Sequence, residues 1–125
     1  MSIESDLATA IKNIPSVSAL VADRVWPVAA PQTSAQPFVT YRRVPGDVLY
    51  THDGESRVQK AYFQIAAVAV TYEGTIELAE AVRDGLCGRH GENVFIFRSP
   101  EDTWNQETGL FVRTQECTIT YRKGA

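Results

Sequence analysis

Between residues 57 and 86 the sequence RVQKAYFQIAAVAVTYEGTIELAEAVRDGL changes from a period of two to a period of 3.6 within one dipeptide. Ala61, Phe63, Ile65 and Ala67 alternate with Lys60, Tyr62 and Gln64, and the second set turns apolar only at Ala66, Val68 and Val70. This alternation predicts a long strand with one face in the core throughout and the other buried only toward its end. After Thr71 the apolar side chains take helical spacing, with Tyr72, Thr75, Ile76, Ala79, Val82 and Leu86 on one side and Leu78 at its margin. Thr71 suits an N-cap, because its hydroxyl can accept from an orphan amide of the first turn. Glu73 suits the positive end of the helix, and Gly88 marks its stop.

Elsewhere the patterns are shorter. Ile3, Leu7, Ala10, Ile11 and Ile14 form a stripe at helical spacing, with Ser2 as cap and Glu4 and Asp6 in the first turn. Pro15 ends that helix, and a short turn is expected to restart over residues 17–21. Residues 25–28 read as a brief strand, confined by Pro27 to an edge or a strand end, followed by a loop over 29–36. FVTYRRV, residues 38–44, is a strand bracketed by Pro37 and Pro45. The next segment carries turn signals at Pro45-Gly46-Asp47 and Asp53-Gly54, with a hairpin tip over 50–56. CGRHGEN, residues 87–93, reads as a polar connection, 94–97 as a short strand and SPEDTWNQETG, residues 99–109, as a long polar loop. In the closing stretch, residues 110–122, Phe111, Cys117, Ile119 and Tyr121 share one face of a strand and Thr114, Glu116, Thr118 and Thr120 the other.

The order of elements predicts an α+β fold: a mainly antiparallel sheet with two main helices packed on one face and a partly polar face opposite. A length of 125 residues fits one compact domain over 1–125. Twelve basic against fifteen acidic residues give a net charge of -3, which argues against a nucleic-acid binder. Cys87 and Cys117 are expected to be reduced, since no secretory leader precedes them and a chain of this size can build its core without a disulfide. The longest apolar run, residues 65–70, is far short of the ~20 residues of a spanning helix.

Little in the sequence suggests catalysis. His52-Asp53 and Cys87-x-x-His90 are scattered, whereas a structural zinc site takes four ligands at tight spacings, so neither metal nor cofactor is expected. No GxSxG, phosphate-binding glycine loop or HExxH occurs. More telling is the stripe Glu73, Glu77, Glu80 and Asp84 on the second main helix, where like charges four apart repel by a few tenths of a kcal/mol. It is either a solvated face or a surface for a cationic partner, for which Arg42, Arg43, Arg57 and Lys60 of another copy are candidates. Two loops are candidate partner contacts, through Tyr50, His52 and Asp53 in one and Asp102, Trp104 and Asn105 in the other. Both are expected to be mobile in the free subunit and to order against a partner. Trp104 is either folded onto the core or kept as an interface anchor.

Three stretches, RVWPVAAPQ (24–32), PFVTYRRVPGD (37–47) and VTYEGTIELAEAVRDGL (70–86), together resemble the small tail-completion proteins of long-tailed bacteriophages, the tail-to-head joining or tail-terminator group. The resemblance implies a structural α+β subunit of the virion tail, assembled in the bacterial host cytoplasm. Such a subunit forms a ring, usually a hexamer, on the head-proximal end of the tail tube, stops tube growth and meets the head connector. Its implied partners are copies of itself, the tail tube protein and the head-tail connector protein, with no nucleic-acid specificity and no membrane. The family offers no catalytic residues to carry over. A small binding module or enzyme with a site formed only in three dimensions is the alternative.

Overall fold

The computed structural model describes residues 3–31, 35–45, 58–90, 93–98 and 100–122. Helices α1 (Ile3–Lys12) and α2 (Pro15–Val21) lead into strands β1 (Val25–Pro27), β2 (Phe38–Val44) and β3 (Val58–Ala69). Helix α3 (Tyr72–Leu86) follows, then β4 (Gly88–His90), β5 (Asn93–Phe97), β6 (Glu101–Asn105) and β7 (Leu110–Arg122). The strands form one sheet in the order β1-β2-β3-β7-β5-β4, with β6 also on β7; only β1–β2 is parallel. The expected α+β class and one-sided helix layer are therefore present.

The sheet is built on β3 and β7, whose ladder runs from Val58 opposite Arg122 to Ala69 opposite Phe111. The free edge of β7 is shared: β6 takes residues 110–114 and β5 residues 117–120. Odd-numbered positions of β3 and β7 face the helices, where Phe63, Ile65, Cys117 and Ile119 meet Leu7, Ile11, Val17, Leu78, Val82 and Leu86 in the buried core. Two polar side chains in this layer are satisfied. Gln115 Nε2 donates to the Ala79 carbonyl at 2.9 Å, and the Thr75 hydroxyl lies 3.0 Å from the Thr71 carbonyl and 3.3 Å from that of Phe111. Both fasten α3 to β7.

Helix α3 is capped as its sequence predicts, the Gly74 amide donating to Thr71 Oγ1 at 3.0 Å. Its apolar face is rotated from the expected one: Leu78 is fully buried, whereas Tyr72 is 44% exposed and turns away from the core. Near its other end Gly85 lets Ile14 approach closely, since a Cβ there would stand 2.6–2.8 Å from three side-chain carbons of Ile14. Pro15 both ends α1 and starts α2, because its fixed φ suits the first turn of a helix.

Three further expectations are corrected. The segment 99–109 is not a long loop but supplies β6 and a tight return to β7. The connection 87–93 contains β4, which pairs with β5. Val70 is not buried: it lies past the end of the β3–β7 ladder and is 61% exposed.

Candidate interaction surfaces

The β6–β7 hairpin stands at the start of α3. Every residue of β6 is exposed, so burial does not hold the strand in place. Instead, the register sets Asp102 opposite Arg113 and Trp104 opposite Phe111, all on the helix side of the sheet. Arg113 donates through Nε and Nη2 to the two Asp102 carboxylate oxygens at 2.7 and 3.0 Å, and the Tyr72 hydroxyl donates to the same carboxylate at 2.6 Å. The Arg113 bond and then the Tyr72 bond hold the Asp102 carboxyl below its ordinary range, and the carboxylate holds the Arg113 guanidinium above its own. Phe111 lies between two aromatic rings, 5.8 Å from Tyr72 and 6.2 Å from Trp104 between centroids. Tilted pairs at such distances add about 0.5–1.5 kcal/mol each beyond their buried area.

The return between the strands is also fixed. Asn105 Oδ1 accepts from the amides of Glu107 and Thr108, and the Asn105 carbonyl accepts from Gly109, whose φ of 71° favours glycine. A strand that buries no residue is thus tied to β7 by side-chain bonds and a closed turn. Trp104 makes a tilted pair with Phe111 and is 54% exposed, so it is not folded onto the buried core.

The acidic stripe lies on the outer side of α3. Glu73, Glu77, Glu80 and Asp84 are all exposed and make no ion pair within the chain among the described residues. The cations proposed for it are divided between the two sides of the sheet. Arg43 faces the helices, donating to Glu4 of α1 at 2.9 Å, so it is already engaged within the subunit. Arg42 and Lys60 lie on the face without helices, Arg42 donating to Gln64 Oε1 at 2.9 Å. Tyr50, His52, Asp53 and Arg57 lie outside the described residues.

The face without helices, uncovered among the described residues, presents Tyr62, Gln64, Glu101, Thr114, Glu116, Thr118 and Thr120, together with Ile96, 53% exposed, and Arg98 beyond it. A cleft of ≈ 300 Å³ opens there between Val44, Pro45, Tyr62, Arg98, Glu116 and Thr118. Sequence reading missed Tyr72, Phe111, Arg113 and Arg98 as parts of these surfaces. Among the described residues no group of three His, Cys, Asp or Glu side chains could hold a metal ion, and no helix is long and apolar enough to cross a membrane.

A one-sided α+β sheet whose outer helix carries carboxylates with no ion pair among the described residues, and whose other face carries Arg42 and Lys60, has surfaces suited to protein–protein contact. Comparison with known proteins gives the particular class. The family model of tail completion protein gp17 matches residues 5–122, and the chain belongs to that family, a family of structural phage tail proteins. A chain from the virion of a native gene transfer agent particle has the same fold, with a TM-score of 0.72, 18% identity and coverage of 93% of this chain and 91% of that one. No individually curated protein matches the sequence.

Proposed function

We propose that the chain is the single-domain subunit of a homo-oligomeric ring that completes the head-proximal end of a phage tail tube and joins it to the head connector. Membership of the tail completion family carries this reading. Separation of charge supports the ring: the α3 stripe carries like-charge repulsion and makes no ion pair among the described residues, while Arg42 and Lys60 stand on the opposite side of the sheet. Contact between unlike faces of successive subunits is head-to-tail, and such contacts close into rings when their rotation permits. The partners are then other copies of the chain, the tail tube protein and the connector protein, met in the host cytoplasm during virion assembly. The subunit needs no cofactor and performs no chemistry in this role.

Electron microscopy of the purified protein, with and without tail tubes, tests the reading. Rings seated on one end of the tubes are expected; tube ends that stay bare at saturating protein would overturn it. Glu77→Lys with Glu80→Lys should leave the fold intact and lower ring yield.

A further inference from the structure

We propose that the cleft in the uncovered sheet face is the socket for the β6–β7 arm of a second copy, with Trp104 as the anchor. This inference rests on the ring reading and specifies its contact. The arm is prepared before any partner arrives, since the Asp102–Arg113–Tyr72 bonds and the Asn105 turn fix it although β6 buries no residue. Holding an exposed strand rigid removes ordering cost from a later association, and an exposed indole is a favoured centre for an interface. The cleft is large enough to admit an indole ring, and Arg98 at its wall can lie over that ring while Tyr62 meets its edge.

Charge selects the occupant. Glu107 on the arm joins the α3 stripe in making no ion pair among the described residues, while Arg42, Lys60 and Arg98 on the uncovered face outnumber Glu101 and Glu116. The Trp104 side of the arm is the helix side of the sheet and the cleft is on the opposite side, so a subunit does not fill its own socket. A second copy of this chain offers both the aromatic anchor and the complementary charge.

Native mass spectrometry of wild type and variants, alone and with tail tubes, tests the assignment. Trp104→Ala is expected to weaken subunit association at least tenfold while lowering thermal stability only by the small amount that the lost Phe111 pair contributes. Glu107→Lys, and separately Arg42→Glu with Lys60→Glu, should each weaken self-association, whereas an equimolar mixture of the two variants should form mixed assemblies. Wild-type assembly together with normal assembly of all the variants would overturn the socket and leave the ring standing. A cleft filled instead by residues 46–57, the segment that follows Pro45 at its rim, would likewise overturn the socket alone. Absence of wild-type assembly even on tail tubes would overturn both.

Discussion

Replacing Arg113 by methionine isolates what holds the arm in place. The substitution keeps most of the aliphatic stem and removes the two donors that reach Asp102 at 2.7 and 3.0 Å. The side chains of Arg113 and Asp102 are 16% and 32% exposed, between a surface pair and a buried one. After allowance for solvent screening, a bidentate pair so placed contributes about 1 kcal/mol. Since 1.4 kcal/mol is a factor of ten, amides of β6 should exchange about fivefold faster in the variant. Amides of β7 directed toward β3 should be unaffected, because that ladder does not depend on the arm. Tyr72→Phe removes one donor and should have a smaller effect in the same direction. Acid should mimic the substitution. Asp102 is held below its ordinary 3.8, so its contribution is complete above about pH 4 and is lost as pH falls through the depressed folded value. Hydrogen exchange followed by mass spectrometry across pH reads both effects once the intrinsic rates are divided out. Unchanged β6 exchange in Arg113→Met, or equal acceleration over the whole sheet, would refute the idea that these bonds secure the arm locally.

Other expectations concern the core. Gly85→Ala should destabilise by about 1–2 kcal/mol despite the better helix propensity of alanine, because Ile14 leaves no room; in an Ile14→Ala background it should stabilise by up to about 1 kcal/mol, measured by urea unfolding. Gln115→Ala should cost about 2 kcal/mol by loss of packing and of the bond to Ala79, and Gln115→Leu less, in the same assay. Under native conditions one thiol per chain should react with a thiol reagent and two after denaturation, since Cys87 is exposed whereas burial pushes the Cys117 thiol up to about 12.

Hydrophobic pattern reports burial, which explains both what the sequence disclosed and what it concealed. β3 and α3 were legible because Phe63, Ile65, Val82 and Leu86 enter one core at two different periods. β6 was not, because Glu101, Asp102, Thr103, Trp104 and Asn105 are exposed on both faces and have no reason to alternate. β4 escaped notice as a strand of only three residues, paired with β5. Of the surfaces, Trp104 and the acidic stripe were visible as exceptions to ordinary composition. Arg113 looked like any polar strand residue until the turn fixed its register against Asp102, and Tyr72 passed for core because it sits one turn from Ile76. Arg43 seemed as free as Arg42; the strand's alternation sends one to Glu4 and the other to the opposite face.

The continuity of β7 from arm to core has a mechanical side. Its first residues form the hairpin, and from Phe111 onward the same strand is bonded to β3 as far as Arg122. A pull on the arm along the strand axis is therefore taken in shear, by the rungs of that ladder acting together, and not by peeling them one at a time. Any force applied to the arm is thus applied to the backbone of the domain.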